Sequence, residues 1–151
     1  MPNPAEKINL SLGLLRVAYN DYIAARVLLN KGYTLQGVMY ASTAIEKYFK
    51  TVICLYTGSL LRGHMDIPNI FTKKIAEFGY GVIIEKIDPL FVGILQKGYK
   101  LRYYDNVLEV TTIGFFRNRF LGELDGAVAL FEKLSVVSGA ISENFTLCGV
   151  R

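Results

Sequence analysis

The residues best suited to chemistry lie in a charged segment about one third of the way along the chain. It contains Glu46, Lys47 and Lys50, and Glu46 precedes Lys50 by four residues, the acid-before-base order that stabilises a helix. These three residues lie outside the stripe of apolar residues that repeats in this segment with the period of a helix. They could form an ordinary solvated helix face. Alternatively they form part of a binding site, since lysine ammonium groups can neutralise phosphate.

The only histidine of the sequence, His64, lies in a polar turn beside Arg62 and Asp66. An imidazole in such a turn titrates near neutrality, so His64 is the candidate general acid or base. The alternative is a turn histidine that caps a helix or hydrogen-bonds a carbonyl. One histidine without a paired-cysteine motif supplies too few zinc ligands, and the sequence also lacks a phosphate-binding P-loop. We expect neither a metal nor a cofactor.

A second group of residues combines positive charge with tyrosine rings. Guanidinium and ammonium groups bind phosphate and tyrosine rings stack on bases, so this pairing is typical of nucleotide and single-strand binding. The alternative is that the tyrosines anchor a loop on the core while the lysines keep it soluble. The group comprises Lys97, Tyr99, Lys100, Arg102, Tyr103 and Tyr104, followed by Arg117 and Arg119 on the last predicted helix.

The composition is apolar for a chain of 151 residues, with 52% hydrophobic and 13% aromatic residues. Such a chain suits one domain over residues 1–151, and its apolar surplus predicts a large interior together with a surface covered in a homo-oligomer. The net charge of +4 permits contact with phosphates without requiring it. The N-terminus lacks a signal-peptide pattern, so we expect a cytoplasmic protein without a membrane segment, with Cys54 and Cys148 as reduced thiols.

Apolar periodicity predicts three long helices, over about residues 5–30, 34–56 and 112–141. The sequence Asn30-Lys31-Gly32 should end the first, and Thr34 should cap the second. A connection this short makes the two helices antiparallel. The glycines of the last helix indicate close packing against another helix, across a dimer for instance, or a bend. They are Gly114, Gly122, Gly126 and Gly139.

Between the long helices the pattern predicts shorter elements. Asp66 and Pro68 should start a short helix that ends near residues 79–81, and Pro89 should kink or break the segment 82–97 before Asp88. Residues 97–110 have no helical stripe and are predicted to form an ordered loop. The predicted fold class is all-α, an up-and-down antiparallel bundle of four main helices plus a short helix.

Several of these segments resemble the HEPN family of small helical bundles. The resemblance covers roughly residues 15–105, and its most specific part is Ala44-Ile45-Glu46-Lys47-x-x-Lys50. Residues 21–33, Gly63-His64 and Tyr99-x-x-Arg102-Tyr103 also match. The resemblance implies a commonly dimeric bundle, often encoded beside a nucleotidyltransferase-like antitoxin partner. Many members are metal-independent endoribonucleases.

One departure from the family bears on activity. Its nucleases carry an arginine followed four to six residues later by a histidine on the last helices, whereas this chain has no histidine after His64. Arg102, Arg117 and Arg119 therefore lack that partner. The resemblance raises the expectation of nucleotide or RNA contact, while the missing motif argues against ribonuclease action.

We therefore expect a non-catalytic, homodimeric HEPN-like protein that binds a nucleotide, RNA or a nucleotidyltransferase-like partner in a toxin-antitoxin-type module. One alternative is a metal-independent endoribonuclease that uses His64. Another is a structural bundle that oligomerises without a ligand. The expected binding residues are Glu46, Lys47, Lys50, Arg62, His64, Lys100, Arg102, Tyr103 and Tyr104.

Overall fold

The computed structural model describes residues 4–59, 71–100 and 117–137 of the chain. These residues form helices and short turns, and no strand occurs among them. The helices are α1 (Pro4–Asn30), α2 (Thr34–Thr57), α3 (Thr72–Ile75), a π-helical turn (Ala76–Tyr80), α4 (Gly81–Ile84), α5 (Pro89–Lys100) and α6 (Arg117–Val137). The predicted all-α bundle is thereby confirmed, with four main helices, α1, α2, α5 and α6, and short helical segments between α2 and α5.

A tight reversal joins α1 to α2. Gly32 has a φ of 85°, the left-handed conformation that favours glycine. The Tyr33 amide donates to the Leu28 carbonyl (2.9 Å) and the Gly32 amide to the Leu29 carbonyl (3.1 Å), which is the Schellman pattern. The predicted stop is confirmed, and α1 and α2 run antiparallel along each other.

The predicted cap of α2 is wrong. Thr34 is the first helical residue, the capping position belongs to Tyr33, and no side chain donates or accepts a cap hydrogen bond there. After the reversal the backbone returns to helical geometry at Thr34, one residue earlier than a Thr34 cap requires. The Tyr33 carbonyl accepts the first backbone hydrogen bond of α2, from the Gly37 amide at 2.8 Å.

The segment between α3 and α5 is interrupted twice. Gly79 has a φ of 93° and ends the helical stretch that begins with α3, close to the predicted position. The second interruption lies between α4 and Pro89, where Asp88 caps α5 by accepting a hydrogen bond from the Leu90 amide at 2.8 Å. The break expected from the proline is confirmed. The predicted helix start at Asp66 and Pro68 lies outside the described residues.

The prediction of a loop from residue 97 onward is wrong for its first four residues, because α5 continues to Lys100. Gly98 allows this part of α5 to lie close to α2. A Cβ atom at Gly98 would lie 2.7 Å from Val38 Cγ1 and 2.9 Å from the Val38 carbonyl oxygen. The packing of α5 against α2 therefore depends on glycine at this position, a tertiary contact that no helical stripe reveals.

Helix α2 is the centre of the core, since it packs against α1, α5 and α6. Its Tyr48 and Phe49 are fully buried and meet Phe131 of α6, with ring centroids 5.8 Å and 4.6 Å apart. Phe49 also stacks on Phe71 at 5.4 Å. Aromatic pairs at these separations contribute about 0.5–1.5 kcal/mol each beyond area burial.

Helix α6 lies within the predicted span of the last helix, whose two ends fall outside the described residues. Gly122 and Gly126 are exposed on it, and a Cβ at either would meet no described atom within 4 Å. Within this chain's described part they make no close helix contact. Gly114 and Gly139 are outside that part. Of the helices described, none has both the length and the apolar character needed to cross a membrane.

Candidate functional site

The charged segment of α2 is not an ordinary solvated face. Glu46 is only 6% exposed, and its Oε1 lies 2.8 Å from the Lys50 ammonium nitrogen, one helical turn later. The Lys50 side chain is also largely buried. The predicted pairing of these two residues is present, but it is an internal contact rather than a surface one. The solvated interpretation is therefore wrong for Glu46.

Because the Glu46–Lys50 pair is buried, the stability of the fold depends on both of its charges. Taking a carboxylate and an ammonium out of water costs several kcal/mol per ion, and each is retained because the other compensates its charge. Removing one partner would leave a buried charge, at a cost of about 3–5 kcal/mol. This pair therefore acts mainly on stability.

Lys47 occupies a different environment on the same helix. Its ammonium group forms an ion pair with Asp21 of α1, and about a third of the lysine side chain remains exposed. The Thr43 hydroxyl oxygen lies 3.1 Å from Asp21 Oδ2 and 2.9 Å from the Tyr40 carbonyl, so its single proton can be donated to one of them at a time. Lys47, Asp21 and Thr43 thus form one connected polar group between α1 and α2.

This polar group lines an open cleft of about 280 Å³. Tyr40 lines the cleft as well and is 38% exposed, so part of its ring can be reached from solvent. We call this space the Lys47 cleft. Its described lining consists of Asp21, Met39, Tyr40, Thr43 and Lys47.

Opposite charges balance on this side of α2. Lys47 and Lys50 contribute two positive charges, and Asp21 and Glu46 contribute two negative charges. The four residues together are neutral, so they do not form a positively charged patch. Of these two lysines, Lys47 is the one that lines a described open cleft, so it can exchange its partner for a ligand.

A second polar contact fixes α1 against α6. The Arg26 guanidinium pairs with both carboxylate oxygens of Asp125, and the Tyr22 hydroxyl donates to Asp125 Oδ1 at 2.6 Å. The hydrogen bond to Asp125 raises the pKa of Arg26 above its ordinary value, so the guanidinium is charged at every accessible pH. Arg26 lies 6.0 Å from the centre of the Tyr22 ring. The contact holds the helix that carries Asp21.

The remaining predicted site residues fall largely outside the description. Lys100 is the last residue of α5, and its side chain is not among those described. Arg119 pairs with Asp88 at 3.0 Å, Lys97 is exposed, and Arg117 lines a separate cleft with Asn118. Those that lie outside the described residues are Arg62, His64, Arg102, Tyr103 and Tyr104.

Sequence reasoning missed four residues of the Lys47 cleft: Asp21, Met39, Tyr40 and Thr43. Tyr40 and Thr43 precede Lys47 by seven and four residues, which places them on one helix face, so the helical period could have found them. Asp21 is 26 residues before Lys47. Only the antiparallel packing of α1 on α2 brings that carboxylate to the ammonium group.

Among the described residues, no group of three or more histidine, cysteine, aspartate or glutamate side chains could hold a metal ion. Cys54 is a buried free thiol. Protein-family models, curated proteins and solved structures show no match to this chain. The HEPN resemblance therefore rests on the residues of the sequence alone.

Proposed function

We propose that the chain is a non-catalytic HEPN-like protein that binds a nucleotide, or the terminal nucleotide of an RNA strand, in the Lys47 cleft. The observation that carries the proposal is the meeting of Lys47, Tyr40 and Asp21 at one open cleft between α1 and α2. A cation, a ring and a hydrogen-bond acceptor are the three groups that a phosphate, a base and a ribose require.

Each residue has a distinct role in this proposal. Lys47 releases Asp21 and pairs with phosphate, whose greater negative charge competes with a single carboxylate. Tyr40 stacks on the base, an interaction of about 1–3 kcal/mol per base in other proteins. Asp21 is the carboxylate that the phosphate displaces from Lys47, and its released oxygen atoms then accept a hydrogen bond from a ribose hydroxyl. The Glu46–Lys50 pair stabilises the same helix and makes no ligand contact.

Calorimetric titration of the full chain with ATP and with a short single-stranded RNA tests the proposal. We expect saturable heat from at least one of them, and a loss of affinity of about tenfold in Lys47→Ala. Asp21→Asn should bind more tightly than the unaltered chain, because phosphate then displaces no carboxylate. Lys133→Ala is the matched control, since it removes one positive charge from an exposed position on α6.

The salt dependence gives a second measurement. Loss of one phosphate contact should reduce the slope of log affinity against log salt by roughly 0.7 for a single strand. Lys47→Ala should show this change and Lys133→Ala should not. If neither ATP nor RNA produces heat, and a pull-down recovers no nucleotidyltransferase-like partner, the proposed function is wrong.

The homodimer and the nucleotidyltransferase-like partner belong to the same proposal. The homodimer is supported by the large apolar side chains that α1 exposes, which are Leu10, Val17, Ile23 and Val27. Light scattering should give a dimeric mass that falls toward the monomer in Val17→Glu/Val27→Glu, with Lys86→Glu as the exposed control. The same exposed residues favour the alternative of a structural oligomer, which predicts a stable assembly that ignores nucleotides and salt.

A further inference from the structure

A second cavity lies on another side of α2, away from the Lys47 cleft. This partly open cavity has a volume of about 270 Å³ and lies between Phe49 of α2, Thr72 of α3, the end of α4 and residues 89–96 of α5. Phe49 is fully buried, and Ile84 and Ile87 are buried beside it. The interruption before Pro89 lies at this cavity, since Ile84, Ile87 and Pro89 all line it.

Gly93 keeps the cavity open from the side of α5. It lines the cavity, and a Cβ at this position would meet no described atom within 4 Å. A larger residue there could enter the cavity without moving the backbone. The absence of a side chain at Gly93 therefore leaves room that the surrounding helices do not fill.

The lining determines what could occupy the cavity. Among the described lining residues none is charged, and the polar groups are the Thr72 hydroxyl and the Gln96 amide, both on half-buried residues. A buried charge without a partner costs far more than a buried neutral group. The lining therefore suits an uncharged, largely apolar molecule that carries a hydrogen-bonding group.

The volume sets the size of that molecule. An apolar cavity of about 150 Å³ holds one benzene ring in another protein. A cavity of about 270 Å³ is nearly twice as large, which corresponds to two fused rings. We propose that this cavity binds an uncharged bicyclic aromatic molecule with a hydroxyl or amine group directed to Thr72 and Gln96. The proposal is independent of nucleotide binding in the Lys47 cleft.

Calorimetry on the full chain with three related probes tests the proposal. 2-Naphthol is uncharged and has a hydroxyl group, naphthalene lacks that group, and 2-naphthoate carries a negative charge. We expect saturable binding of 2-naphthol, weaker binding of naphthalene, and at least a tenfold loss for 2-naphthoate. This comparison uses the unaltered chain, so its outcome does not depend on whether a variant folds.

Variants then locate the site. Gly93→Leu should fill the cavity and weaken 2-naphthol binding by about tenfold or more, whereas Gly13→Leu should not change it. Gly13 is the matched control because it is also a helical glycine with no described atom near its Cβ position. Lys47→Ala should leave 2-naphthol binding unchanged. The proposal is overturned if 2-naphthol fails to bind, if 2-naphthoate binds as well, or if folded Gly93→Leu binds like the unaltered chain.

Discussion

The contact of Gly98 with Val38 provides a quantitative test of how α5 is packed. Alanine at position 98 would place its Cβ 2.7 Å from a Val38 methyl carbon and 2.9 Å from the Val38 carbonyl oxygen. Both separations are well below an ordinary van der Waals contact. The carbonyl belongs to the backbone of α2, so it cannot rotate away, and the helices would have to move apart.

Gly93 on the same helix is the matched control. Alanine there would meet no described atom within 4 Å, so it should stabilise the helix by up to about 1 kcal/mol through helix propensity alone. Alanine at position 98 gains at most the same propensity but adds an overpacking cost of about 1–3 kcal/mol. The propensity gain cancels between the two variants, so the difference in their free energies of unfolding measures the overpacking cost, about 1–3 kcal/mol.

Urea denaturation followed by helical circular dichroism measures this difference. We expect the midpoint to rise in Gly93→Ala and to fall in Gly98→Ala, with similar dependence on urea concentration in both variants. For a chain of this size, each kcal/mol corresponds to roughly 2–4 °C in the thermal midpoint. Equal stability of the two variants would refute the close approach of α5 to α2 at Val38.

Two further predictions concern ionisable side chains. Burial, together with a hydrogen bond to Tyr80, raises the pKa of Tyr56 to about 12 from an ordinary 10. The neutral phenol stabilises the fold below pH 10, and this contribution is lost between pH 10 and 12, so the stability advantage over Tyr56→Phe should shrink across that range. Urea titrations at several pH values check this, and a constant advantage would contradict it. Lys50→Ala should lower the free energy of unfolding by about 3 kcal/mol because Glu46 loses its buried partner. Lys47→Ala, from the more exposed pair with Asp21, should cost about 1 kcal/mol or less, and equal losses in the two variants would contradict the difference in burial.

The sequence alone was sufficient to predict the fold class and, to within one residue, the ends of α1 and α2. Apolar periodicity identified α1, α2 and α6, because a helix that buries one face must repeat apolar residues every three to four positions. Gly32 indicated the end of α1 and Pro89 indicated the break before α5, because the backbone geometry of glycine and proline is a local property. The wrong Thr34 cap and the wrong loop at residue 97 lie at helix ends, where one hydrogen bond or one close contact decides the outcome.

The character of the candidate site depended on tertiary structure. The local pattern of Glu46, Lys47 and Lys50 on α2 is the same whether these side chains face water or protein. Packing of neighbouring helices buries Glu46 with Lys50, while the α1–α2 hairpin brings Asp21 to Lys47 across 26 residues of sequence. Burial and long-range pairing arise from which helices meet. Spacing along one helix could identify these residues, and only the assembled bundle separated the stabilising pair from the lysine that faces a cleft.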